Sequence, residues 1–197
     1  YIVMEYVEGT TLKEYLLNEG ATDVGFCKIP DSDVPGCDYA VSICVRLSDT
    51  IIDEINGEPT HTYFNHYRTV NAYIDSLLLK AGLYLQKNGY KYLTVAASQS
   101  INKDGWNYKG RYSHKKAATL SGLGTIGRSS MFLHKKYGAK VRLGTVFTDY
   151  PFDVRDVKPI SVCGSCRKCV DACPSGAILG NEWTIDSRRE DMFDPEK

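Results

Sequence analysis

Four cysteines between positions 163 and 173 constrain this chain more than any other feature. They stand in the run Cys163-Gly-Ser-Cys166-Arg-Lys-Cys169-Val-Asp-Ala-Cys173-Pro174. Three thiols spaced three residues apart wrap a loop around one face of a cuboidal iron–sulfur cluster, and a fourth follows after a longer step and a proline. Small Gly164 and Ser165 let the backbone approach the sulfides. Pro174 sets a turn that aims Cys173 away, and Ser175-Gly-Ala-Ile178 is expected to open a short helix. A structural zinc site usually pairs two C-x2-C knuckles across a longer loop, a pattern absent here. Cys163, Cys166 and Cys169 are therefore expected to hold a [4Fe–4S] cluster. Cys173 either completes that cluster or serves a second one, and the chain stops at Lys197 without a second run.

The remaining cysteines, Cys27, Cys37 and Cys44, lie far upstream and read as small buried hydrophobes. Seven cysteines are an odd number and do not form a disulfide framework. The first residues lack the charged start and apolar centre of a signal peptide, and no apolar run approaches the roughly 18 residues of a membrane span. Position 1 is Tyr, as expected of a fragment or processed chain. These features predict a reducing, cytoplasmic setting without a membrane. An apolar share of 43% over 197 residues is enough for one sizeable core plus a small appendage.

Charge is balanced overall but uneven along the chain. Residues 103–142 carry ten Lys and Arg against one acid, Asp104, whereas residues 1–102 carry seven against 13. A basic middle between acidic ends is expected to face an anion, or else to be a solvated lysine-rich surface.

Apolar spacing predicts the elements. Thr10 or Thr11 caps a short helix that Gly20 ends. Asp23–Phe26 and Tyr39–Val45 read as strands, the second after the turn Pro35-Gly36. Val70, Tyr73, Ile74, Leu77, Leu78, Ala81 and Tyr84 mark a helix over Tyr67–Lys87. Tyr92–Ala97 is a strand and His114–Leu120 a helix. Met131–Leu133 and Val141–Phe147 read as two strands joined near Tyr137-Gly138. Alternating strands and helices predict an α/β or α+β core. A composition shift around Asp153–Pro159 divides residues 1–155 from a small module at 156–197.

Gly122-Leu-Gly124-Thr-Ile-Gly127 matches G-x-G-x-x-G, but a helix precedes it and a strand follows. That order is the reverse of a dinucleotide fingerprint. The segment Ser113–Ser130 instead resembles the A-G-L-G-x-I-G-K-N region of epoxyqueuosine reductases. Leu143-Gly-Thr-Val-Phe-Thr-Asp149 resembles the strand that follows in that family, and the C-G-S-C run comes next in the same order. The similarity extends over about residues 20–185, and the related reductive dehalogenases share the scheme. It implies an α+β, nitroreductase-like, cobalamin-binding core with a ferredoxin-like iron–sulfur module at the C-terminus. It further implies cofactor contacts at Gly122, Leu123, Gly124, Gly127 and Arg128, and an electron donor such as ferredoxin or flavodoxin. The substrate class is a small molecule or a tRNA.

The family's general acid is an aspartate fourteen residues before the first glycine. That position here is Tyr108, with Asp104 nearby. Reductive dehalogenases use a tyrosine donor, so Tyr108 is the expected catalytic residue, with Lys109 and Arg111 able to stabilise its phenolate. The family's Lys and Asn after I-G are Arg128 and Ser129 here. Trp106, Tyr108 and Tyr112, set among basic residues, suit stacking on a base or a flat ring. Two other functions fit the same residues: an electron-transfer protein or subunit without cobalamin, and an RNA-binding module.

Overall fold

The computed structural model describes residues 10–101, 110–154, 156–158 and 160–197. Tyr108, Asp104 and Trp106, which the sequence singles out, lie outside the described residues.

Four strands form one antiparallel sheet in the order β1-β2-β6-β3. They are β1 (Asp23–Lys28), β2 (Tyr39–Arg46), β3 (Tyr92–Val95) and β6 (Val141–Thr148). β2 pairs with β1 and with β6, registering Ile43 against Val24 and Gly144. Two short strands, β4 (Gly124–Ile126) and β5 (Phe132–His134), pair antiparallel in a separate sheet. All the described ladders are antiparallel, so the mixed fold is of the α+β kind.

The central strands are buried on both faces, which is why β2 reads as a near-continuous apolar run rather than an alternation. Val41, Ile43 and Val45 pack into one cluster with Ile74, Leu77 and Leu78 of the long helix α3 (His61–Lys87). Ala40 and Cys44 face the other way, toward Ala117 and Ala118 of α4 (His114–Leu120). The sheet is thus sandwiched between α3 and α4 (period 2 in the strands meeting period 3.6 in the helices). Leu77 is fully buried, and its truncation to Ala costs about 2–5 kcal/mol. Two further helices, α1 (Thr10–Asn18) and α2 (Asp49–Asp53), pack beside α3. Among the described residues no helix is long and apolar enough to cross a membrane.

Three expectations are corrected. Helix α3 starts at His61, not Tyr67, because Thr60 caps it by accepting from the Tyr63 N–H at 3.0 Å; its first turns are mostly solvent-facing, with Tyr63 packed against the core. The strands around Met131 and Val141 do not pair with each other. β5 folds back on β4, while β6 joins the main sheet. Ser175–Ile178 is not helical. Gly176 takes φ +66°, and Ile178 bridges Phe193.

Candidate functional site

The site is built around α4 and the turn that follows it. Ser113 caps α4 by accepting from the Lys116 N–H. At the other end Gly122 takes φ +71°; its N–H reaches Thr119 O at 2.9 Å, and the Leu123 N–H reaches Ala118 O at 3.0 Å. These two bonds, with Leu123 packed near Ala118, are the Schellman stop that glycine favours. Gly124 is required by close strand approach: a Cβ there would stand 2.1 Å from the Leu133 carbonyl oxygen. At Gly127 a Cβ would meet Leu133 at 2.9 Å and Cys163 Sγ at 3.5 Å. Each glycine of the G-x-G-x-x-G run therefore has a packing reason that needs no ligand.

The turn after Gly127 meets the cysteine segment. The Arg128 N–H donates to Cys163 Sγ at 3.4 Å. Its guanidinium donates to the carbonyls of Gly180 and Gly164 and to Glu182, each at 2.7 Å. Arg128 thus ties the C-terminal segment to the core, with its Nε buried and unpartnered.

Within that segment the Cys166 N–H returns to Cys163 O at 2.9 Å, and a short helix α5 (Lys168–Asp171) leads to Cys173. A turn closes from Gly176 N–H to Cys173 O around Pro174. The Cys173 thiol is drawn down to about 7, chiefly by the backbone N–H of Ile178 and then by the Ser175 hydroxyl. All four cysteines are free. Among the described residues no three His, Cys, Asp or Glu side chains converge on a single metal ion. Four soft thiol donors, with N–H groups turned toward Cys163 and Cys173, fit a thiolate-held cluster, whose ligand sulfurs stand wider apart than those on one ion.

The upstream cysteines behave as packing groups. Burial pushes the Cys27 thiol up to about 11 and Cys44 to about 12. Cys37 is also buried and raised.

A cavity of about 680 Å³ opens between the C-terminal end of β3, the start of α4 and the helix α6 (Arg189–Met192), a size usual for ligand and cofactor sites. Val95, Ala97, Ile126 and Met192 give it an apolar part; Arg111, Lys115, Lys116, Arg188 and Arg189 give it cationic walls. Trp183 and Ser130 also line it. From the glycine segment only Ile126 reaches the lining; Gly122, Leu123, Gly124, Gly127 and Arg128 do not. The basic block divides. Lys140 pairs with Asp49 and Asp53, and Arg142 bonds Asn71, away from the cavity. Tyr112 also lines the cavity, its ring perpendicular to that of Phe147 and its hydroxyl donating to Asp31 at 3.0 Å.

Sequence reasoning missed Lys115, Ser130, Trp183, Arg188 and Arg189 as neighbours of one cavity. Lys115 lay inside the basic block, but spacing alone does not separate it from Lys135 or Lys140. The Arg188 side of the wall comes from a segment far from the basic block in sequence.

Solved structures with this fold include epoxyqueuosine reductases and reductive dehalogenases. The chain superposes on an epoxyqueuosine reductase crystallised with an epoxyqueuosine-modified tRNA stem loop with a TM-score of 0.62 at 20% identity, covering 87% of this chain and 53% of that one. A Streptococcus thermophilus epoxyqueuosine reductase gives 0.62 at 17% identity, over 90% and 55%. A catabolic reductive dehalogenase in complex with 3-bromo-4-hydroxybenzoic acid gives 0.61 at 23% identity, over 85% and 24%.

Curated relatives point to the first of these groups. Epoxyqueuosine reductase of Listeria monocytogenes is 38% identical over 71 residues, or 36% of this chain and 18% of the relative. That of Bacillus subtilis is 39% identical over 80 residues, or 41% and 20%. The matched segment spans about a fifth of these relatives, and the chain covers about half of the solved epoxyqueuosine reductases. No family model matches. The resemblance to epoxyqueuosine reductases read from the motifs is thus found independently in sequence and in fold.

Proposed function

We propose that this chain is the core of a reductase of the epoxyqueuosine reductase type, comprising a substrate and cofactor domain (residues 1–155) and a ferredoxin-like module (156–197). The observation that carries the reading is the Arg128 N–H to Cys163 Sγ bond. It sets a cluster cysteine against the turn whose neighbours Ile126 and Ser130 line the cavity, so electron supply and substrate pocket are adjacent.

A [4Fe–4S] cluster on Cys163, Cys166, Cys169 and Cys173 would supply single electrons at low potential, and a corrinoid in the cavity would supply a strongly reducing cobalt. The lining suits a flat ring with an anionic tail, since it offers apolar side chains together with guanidinium and ammonium groups. The chain's own residues do the rest. Arg111 and Lys116 are held by Asp33 and Asp31, which fixes cations where a phosphate can lie. Trp183 offers a face to a base or ring. Tyr108 is the proton donor that the sequence expects, beside Lys109 and Arg111. The substrate would be an epoxide on a tRNA base, reduced with two electrons and two protons as water leaves. The electron donor would be a ferredoxin or flavodoxin.

The test is anaerobic reconstitution with iron and sulfide, then hydroxocobalamin. About four irons per chain and a corrin spectrum that co-elutes with the protein support the reading. An intact cluster without bound corrin sinks the corrinoid form. It would leave the electron-transfer reading, which the fully packed glycine run also favours.

A further inference from the structure

We propose that Lys115 is a proton donor of this cavity. The inference rests on the reductase reading, because only a reduction in the cavity calls for a proton there.

The case is one of elimination among the described residues that face the space. Arg111, Arg188 and Arg189 line it, and guanidinium groups do not give up a proton near neutral pH. Asp31 and Glu190 are carboxyl groups, a type ionised near neutral pH. Asp31 in addition accepts from Lys116 at 2.7 Å and from Tyr112 at 3.0 Å. Burial and the adjoining Asp31 push the Tyr112 phenol far up, so it holds its proton. His114 has both ring nitrogens engaged. A carbonyl can only accept, so Nε2–H donates to Ala96 O at 2.9 Å, and Nδ1 accepts from the Thr145 hydroxyl at 2.8 Å. Lys116 is paired with Asp31.

Lys115 is different. Its ammonium donates to the Ser130 carbonyl at 2.6 Å and lies 3.3 Å from the Ser130 hydroxyl. No described carboxylate pairs with it, and the charge acting on it is another cation, Arg189. Burial, and then Arg189, lower its proton affinity below that of an ordinary lysine. Ser130 aims it: this residue has φ +60°, the one positive φ among described non-glycine residues. Such strain persists where surrounding bonds hold it, here the Ser130 N–H to Gly127 O bond and the Lys115 contacts.

In the step itself one N–H bond of the ammonium breaks and its electron pair stays on nitrogen. The proton goes to the substrate atom that has received electrons from the external low-potential donor. Solvent reprotonates the amine.

Two measurements decide it on the cluster- and corrin-loaded protein. Side-chain ¹⁵N NMR of the lysines, with Lys115→Arg for assignment, is expected to show Lys115 titrating below the others. Turnover of an epoxyqueuosine-bearing tRNA stem loop is expected to fall roughly 10²–10⁴-fold in Lys115→Arg, with KM little changed, because arginine keeps the charge but not the exchangeable proton. Lys115 titrating with the exposed lysines, or a Lys115→Arg enzyme as fast as the parent, overturns the inference and leaves the reductase reading standing. A loaded parent chain that leaves the stem loop unreduced refutes that reading and the donor role together.

Discussion

Removing the Arg128 side chain is expected to loosen the cysteine segment without unfolding the core. Two of its bonds run from a charged guanidinium to main-chain carbonyls, Gly164 and Gly180, and such bonds are worth about 1.5 kcal/mol each at the low end of their range. The third partner, Glu182, is half exposed, so screening limits that pair to about 0.5 kcal/mol. Truncation also removes the buried, unpartnered Nε, which returns about 1 kcal/mol. The net loss is then about 2–3 kcal/mol, a shift of roughly 30- to 150-fold in the equilibrium for local opening. Hydrogen exchange of the amides over residues 160–182, in Arg128→Ala and in the parent, reads that shift directly. Glu182→Gln serves as the control and is expected to move protection by less than about threefold. Equal protection in Arg128→Ala and the parent refutes the clamp, as would a Glu182→Gln effect as large as that of Arg128→Ala.

Other expectations follow from the same geometry. Gly124→Ala drives a Cβ into main-chain atoms of Leu133 and His134 that cannot step aside; urea denaturation is expected to show a loss of about 3 kcal/mol or more. Gly122→Ala forces a left-handed alanine at the end of α4 and is expected to cost about 1–2 kcal/mol in the same assay. Cys44 keeps its proton to about 12 when folded, against 9.0 otherwise. The stabilisation is therefore complete below about pH 9 and is lost as pH rises toward 12; Cys44→Ala is expected to flatten that alkaline decline in thermal melts. His114 shifts the opposite way, its proton affinity lowered by burial from 6.5. The stability it contributes is present above that pH and lost as pH falls below it, and His114→Gln is expected to remove that part of the acid sensitivity.

Much of the scaffold was legible because its signals are periodic. The stripe from Val70 to Ala81 predicted α3, and it packs as that stripe implies. The apolar run from Tyr39 to Val45 predicted a strand, and both its faces are covered. Helix α4 matches its expected bounds, since a serine caps one end and a glycine stops the other. Failures arose where pairing partners had to be chosen. Met131–Leu133 and Val141–Phe147 are both good strand sequences, but nothing local says that one returns to Gly124–Ile126 while the other crosses to β2. Tyr73 obeys the helical period yet stays substantially exposed, its hydroxyl bonding the Glu19 carbonyl. The cavity was still less legible: its wall joins residues 95–99, 110–116 and 183–192, and only the folded sheet makes them neighbours.

The glycine run joins these levels. The family resemblance implied cofactor contacts along it; in the fold its small residues bring three parts of the chain into contact. Gly122 ends α4 where Lys115, two turns earlier, still faces the cavity. Gly124 lets β4 and β5 close tightly, which returns Ser130 to accept from the Lys115 ammonium. Gly127 leaves room for Cys163, whose sulfur takes the next N–H along the chain. A single turn, residues 127–131, therefore touches a predicted cluster ligand at one end and, at the other, the cavity lysine with which no described carboxylate pairs. A side chain at Gly127 would push against both Leu133 and Cys163. Its first effect would be to move the cysteine loop and the Lys115 acceptor together, which is the coupling a site that takes up electrons and protons in the same place requires.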